Sequence, residues 1–115
     1  MKVTSNMKKL STTLLLLLLP ISLHATTLTL GWDDTINNTA VKYRMYRQLS
    51  CTGSYVVLGE SIYPNQTFLD TNVSIATYCY KVTGIDSAEV ESGPSNILTV
   101  TCKHGPHQTI TCTGV

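Results

Sequence analysis

Charge is scarce in this chain. Only 13% of its 115 residues are Asp, Glu, Lys or Arg, and the formal net charge is +1. An ordinary soluble domain carries roughly a quarter charged residues. The shortage excludes a strongly basic nucleic-acid binder and an acidic tail. Aromatics are also few, with one Trp and one Phe. Histidine occurs only at His24, His104 and His107, so no Ser or Cys of the central stretch has a His near it in sequence. That removes the usual activated-nucleophile pair. Glycine-rich phosphate loops, HExxH and the D-x-D-x-D-G calcium spacing are all missing. No window sustains an apolar 3.6-residue repeat, so amphipathic helices are not expected. A chain this short allows one domain and leaves no room for a deep substrate pocket. The expectation is a non-enzyme with no catalytic residue, no cofactor and no metal ion.

One long hydrophobic run is present. Lys2, Lys8 and Lys9 precede the apolar stretch Leu10 to Leu19; Pro20 ends it, and Leu23-His24-Ala25 offers a small-residue cleavage site before Thr26. Residues 1–25 therefore read as a secretory signal peptide. The run is shorter than the roughly 20 residues that span a bilayer. No cysteine follows it to take a lipid. The expected location is periplasmic, extracellular or secreted, with no membrane span after cleavage.

What remains, Thr26 to Val115, is 90 residues with five basic and seven acidic side chains. It is rich in Thr, Ser, Val, Tyr and Asn, which favours strands and turns. So small a domain buries only about 60–65% of its unfolded surface, and covalent staples help it. All four cysteines, Cys51, Cys79, Cys102 and Cys112, lie in this exported part. Four cysteines allow three pairings; Cys51–Cys79 with Cys102–Cys112 is the favoured one. Loop-closure entropy gives these crosslinks about 3.5 and 2.8 kcal/mol respectively. Cys102, His104, His107 and Cys112 could together offer zinc donors, but C-x-H-x-x-H-x4-C matches no finger spacing and export favours oxidised thiols.

Apolar residues alternate with polar ones in short stretches. Leu28, Leu30 and Trp32 form one set, Val41, Tyr43 and Met45 another, and Tyr78, Tyr80 and Val82 a third. Each reads as a half-buried strand, and all of these residues but Val41 are the expected core. Further strands are expected at Tyr55 to Leu58, Thr67 to Leu69 and Asn96 to Thr101, with turns over Gly59 to Gln66 and Asp86 to Pro94. Short strands at this spacing make an all-β sandwich or barrel.

Five motifs then occur in order: Leu28-x-Leu30-x-Trp32-Asp33; Tyr43-Arg44-Met45-Tyr46-Arg47; Thr67-Phe68-Leu69-Asp70-Thr71-x-Val73; Thr77-Tyr78-x-Tyr80-x-Val82-x-x-x-Asp86-Ser87-Ala88; and Glu91-Ser92-x-Pro94-Ser95-Asn96. Together they resemble the fibronectin type III domain, especially its exported bacterial and phage forms, over about residues 27–100. The resemblance implies an immunoglobulin-like two-sheet sandwich in residues 26–101. Trp32 becomes its core tryptophan and Tyr78 its tyrosine-corner residue. The first strand of that family is short or missing here, because cleavage after Ala25 leaves two residues before Leu28. Glu89-Val90 replaces a usual glycine. Residues 102–115 run past the family's end and are expected to form a disulfide-closed hairpin or tail turning at Gly105-Pro106, shielding the missing strand's place.

The same resemblance places Asp33, Asp34, Asp86, Glu89 and Glu91 at one pole, where they read as a solvated acidic rim. Three glycosylation sequons begin at Asn37, Asn65 and Asn72, and a bacterial leader implies that they go unused. Lys42, Arg44, Tyr46 and Lys81 should alternate outward beside Cys79 on adjoining strands, a stripe that also reads as cross-strand packing next to a disulfide. As a binding face it would take an unidentified protein or glycan, and no nucleic acid. The function expected is a non-catalytic exported binding module. The alternative is a structural subunit of an envelope or virion assembly, completed by a strand donated from a partner.

Overall fold

The computed structural model describes residues 11–15, 25–34 and 39–115. It is a two-layer β-sandwich. Among the described residues eight strands run β1 Ser11–Leu15, β2 Thr26–Gly31, β3 Lys42–Leu49, β4 Val56–Ile62, β5 Thr67–Val73, β6 Thr77–Ile85, β7 Leu98–His104 and β8 Ile110–Gly114. A three-stranded sheet has the order β1-β2-β5, and a five-stranded sheet the order β4-β3-β6-β7-β8. Every pairing is antiparallel. No helix among the described residues is long and apolar enough to cross a membrane.

Alternation in the sequence becomes the two sides of each sheet. Leu28, Leu30, Tyr43, Tyr80, Val82 and Val100 are wholly buried between the layers, and Trp32, Met45 and Tyr78 are nearly so. Trp32 meets Tyr43 edge to face, with ring centroids 5.2 Å apart. The Tyr78 hydroxyl accepts a hydrogen bond from the Ser74 backbone N–H at 3.0 Å, tying β6 to the turn before it. All eight residues of the expected core lie inside.

One charged group crosses the interior. Asp70 on β5 is buried, and its carboxylate accepts from the Tyr80 hydroxyl at 2.7 Å and from Arg47 Nη1 at 3.0 Å. Arg47 also lies over the Tyr78 ring, 5.0 Å from its centroid. Both sheets contribute to this cluster, so it bolts them together.

Several strand ends differ from expectation: β3 begins at Lys42, leaving Val41 exposed before it. β4 continues through Glu60 to Ile62, because Glu60 pairs with Arg44 across the ladder and delays the turn to Tyr63–Asn65. β5 runs on to Val73, which is buried. The strand expected at Asn96 starts instead at Leu98 and extends to His104. Upstream of Leu98 the buried serines replace the ladder: Ser92 Oγ accepts from Gly84 N at 2.9 Å, and Ser95 Oγ from Val82 N at 3.1 Å.

Both favoured disulfides form, Cys51–Cys79 and Cys102–Cys112. The second joins residues directly opposite on β7 and β8. Their hairpin turns through Gly105–Thr109, where Gly105 N donates to Thr109 O at 2.9 Å. A Cβ on Gly105 would stand 2.5 Å from the Thr109 hydroxyl, so the turn needs glycine. The tail does not take the place beside β2, as the shielding idea required. It widens the five-stranded sheet and sends Ile110 into the core. The lane beside β2 is held by β1, which falls inside the stretch read as a leader. The rest of that stretch, apart from Ala25 and β1, lies outside the described residues, as does the Asn37 sequon.

Candidate binding face

The outer surface of β3, β4 and β6 gathers the polar stripe. On β3, Lys42, Arg44 and Tyr46 point away from the core because Tyr43 and Met45 point into it. The β3–β6 register sets Arg44 opposite Thr83 and Tyr46 opposite Lys81. All four expected face residues, Lys42, Arg44, Tyr46 and Lys81, are therefore on one surface and half-buried.

The upper part of this face neutralises itself. Arg44 grips Glu60 through Nε at 3.0 Å and Nη2 at 2.7 Å, and reaches Glu91 at 3.4 Å. Lys42 lies 3.4 Å from both Glu60 and Glu89. Glu91 also accepts from the Thr83 hydroxyl at 2.6 Å and from the Tyr46 hydroxyl. The Arg44 hydrogen bond holds the Glu60 carboxyl below the usual carboxylate range, against slight desolvation. Burial pushes Glu91 upward, but hydrogen bonds from Thr83 and Tyr46 outweigh it and hold this acid low as well. Burial, reinforced by Glu91, raises the Tyr46 phenol.

Below this network the face changes character. The Lys81 ammonium sits 4.2 Å from the Tyr55 ring centroid and 5.3 Å from that of Tyr46. Its positive charge is held by ring faces, an attraction of about 0.5–1 kcal/mol at exposed sites. No described carboxylate lies within salt-bridge distance of it, so its N–H donors stay available. Exposed Val57 is opposite Tyr46 on β4 and extends the patch with apolar surface.

Tyr55 is the residue of this candidate face that sequence reasoning missed. The run Tyr55 to Leu58 reads as a strand, whereas Tyr55 precedes β4 in the loop from Ser50. That loop is fixed twice. Cys51 is bonded to Cys79, two residues before Lys81 on β6, and Gln48 Nε2 donates to Gly53 O at 2.6 Å. The favoured Cys51–Cys79 pairing, placed beside Lys81, was the signal that could have located it.

The acidic residues divide. Glu89 and Glu91 belong to the face. Asp34 instead accepts from the Tyr43 hydroxyl at 3.2 Å, and burial raises its carboxyl despite that bond. Among the described residues no group of three or more His, Cys, Asp or Glu side chains is placed to hold a metal ion. His104 and His107 lie on the tail hairpin, and both tail cysteines are in the disulfide. Asn65 is exposed in its turn, with its side-chain oxygen accepting from Thr67 N and Oγ1, and Asn72 is exposed on β5.

No family model matches the sequence, and no curated protein matches it. Solved structures do. One is the solution structure of the fibronectin type III domain of human fibronectin type III domain containing protein 3: 17% identity, TM-score 0.57, covering 90% of this chain and 94% of that one. Another is the pectate lyase PelI from Erwinia chrysanthemi in complex with tetragalacturonic acid: 21% identity, TM-score 0.52, covering 76% of this chain. This chain corresponds to only 26% of the length of the lyase. With its two sheets, central indole and tyrosine corner, the chain has the fibronectin type III fold.

Proposed function

We propose that this protein is a non-catalytic, exported binding module that meets a protein or glycan ligand through the outer face of β3, β4 and β6. The observation that carries this reading is the Tyr46–Lys81–Tyr55 cluster. It presents two aromatic rings and a cation with no salt-bridge partner among the described residues, and one of the rings, Tyr55, sits on a loop locked by a disulfide. Aromatic rings supply contact area at low entropic cost, and a pre-ordered loop avoids ordering costs on binding. Two disulfides in so small a domain fit an oxidising, extracellular location. The pectate lyase of which 26% resembles this chain was solved in complex with tetragalacturonic acid, which makes oligogalacturonides a natural first probe for Lys81. The test is a screen of the purified protein against immobilised glycans, oligogalacturonides included, and envelope proteins. Tyr55→Ala and Lys81→Ala are run in parallel. Each substitution should weaken any specific binding about tenfold while leaving the circular-dichroism spectrum unchanged. Binding indifferent to both would remove the face from consideration.

A second reading, a structural subunit of an envelope or virion assembly completed by strand addition, draws on the edge of β2. There the covering strand is β1, from the stretch read as a removable leader.

A further inference from the structure

The β1–β2 ladder has five consecutive pairs without a shift: Ser11–Gly31, Thr12–Leu30, Thr13–Thr29, Leu14–Leu28 and Leu15–Thr27. The irregularity in β2 lies on its other side, between Thr26 and Leu28 in the register with β5. Toward β1, then, β2 offers a straight edge. Its sequence, Thr-Thr-Leu-Thr-Leu-Gly, holds no charge and no proline. Sheets normally guard a free edge with such residues or with a bulge. Two core leucines, Leu28 and Leu30, stand on this strand and are wholly buried. Loss of residues 1–25 would leave that edge unpaired.

We infer that the mature protein closes the β2 edge with β2 of a second copy, forming a two-fold symmetric dimer. The inference deepens the assembly reading and rests on it, and on leader removal. Its basis is register. The ladder with β1 is centred on Thr29, and an antiparallel pair related by a two-fold axis must be centred on one residue facing its own twin. With Thr29 at the axis, Thr27 of the second copy takes the place of Ser11, Leu28 that of Thr12, Leu30 that of Leu14, and Gly31 that of Leu15. Residues directly opposite in an antiparallel ladder share a face. Leu28 then pairs with Leu30 of the second copy on the core side, and both Thr29 residues lie on the outer side. The self-complementary alternation of β2 meets the condition that an isologous interface sets. The two short sheets become one continuous sheet, β5-β2-β2-β5.

The full chain, leader included, is expressed in an exporting host and purified from the oxidising compartment. Intact mass gives the N-terminus, and sedimentation velocity gives the oligomeric state. The expected product starts near Thr26 and is a dimer. Thr29→Lys and Thr29→Glu each place like charges directly opposite at the axis. Each alone should weaken dimerisation about fivefold, and an equimolar mixture should restore it. Thr29 points away from the core, so both variants keep the sandwich, which circular dichroism checks. A retained leader overturns the inference, and so does a dimer indifferent to both charges. A processed monomer overturns it too: with a co-purifying protein bound at β2 the assembly reading survives, and without one both readings fall.

Discussion

Asp70 and Arg47 face each other from opposite sheets, carboxylate to guanidinium at 3.0 Å, with the Asp70 side chain only 5% exposed. Desolvation works against the Arg47 charge, yet Asp70 raises the guanidinium above its ordinary value overall. The Tyr80 phenol is pushed strongly upward, by burial first and then by its bond to Asp70, so it remains a donor at any ordinary pH. Truncating one partner of such a pair leaves the other charge buried without compensation. Asp70→Ala should therefore lower unfolding free energy by about 3 kcal/mol, measured by urea denaturation. A loss below about 1 kcal/mol would mean the bolt contributes little.

The tyrosine corner is a separate support. Tyr78→Phe removes the acceptor for Ser74 N and keeps the ring that packs on Arg47. The expected cost is about 1–2 kcal/mol, the range for an orphaned backbone donor that is partly buried. Chemical denaturation of the single variant reads it, and hydrogen exchange at Ser74 should accelerate.

Ile110 tests whether the tail belongs to the sandwich. It packs in the main core although it lies outside the stretch that resembles the family. Ile110→Ala should cost about 2–3 kcal/mol, the lower half of the usual core range, because the site lies at one end of the sheet. Ile110→Val should cost under about 1.5 kcal/mol. An unchanged melting midpoint in the alanine variant would show that the hairpin is an appendage.

Acid should loosen the outer face. Glu60 and Glu91 are held below the ordinary value of 4.5 in the folded chain. The unfolded chain takes up their protons first, so their contribution is present above about pH 4.5 and is lost as pH falls through the folded values. Asp34 acts in the opposite sense, because burial raises it and protonation relieves that strain. Stability measured from pH 6 down to pH 2 should fall less steeply in Glu91→Gln than in the wild type. Parallel curves would discount the Arg44–Glu91–Tyr46 network.

Much of the fold was legible because strand alternation is local. Leu28-x-Leu30-x-Trp32 and Tyr78-x-Tyr80-x-Val82 carry their burial pattern in plain order, and the favoured one of the three cysteine pairings is the one that forms. The lower strand ends were not legible. Glu60 continues β4 only because Arg44 is opposite it, and Ser92 and Ser95 end the pairing of β6 through long-range bonds. Of the candidate face, Lys42, Arg44, Tyr46 and Lys81 were readable from alternation alone. Tyr55 was not, since its place over Lys81 depends on a crosslink between residues 28 apart. The burial of Asp70 also escaped notice, because nothing local to Leu69-Asp70-Thr71 announces Arg47 and Tyr80 on the other sheet.

Both crosslinks lie within the chain rather than at its ends, and together they decide how far it can be stretched. A pull between the termini passes directly from Cys51 to Cys79 and from Cys102 to Cys112, bypassing β4, β5 and the tail turn. The bypassed length is roughly 130 Å of extended chain at about 3.4 Å per residue. Once the sandwich is pulled open, that slack adds to the length of the chain only where both disulfides are reduced; in an oxidising medium the extension stops short by it.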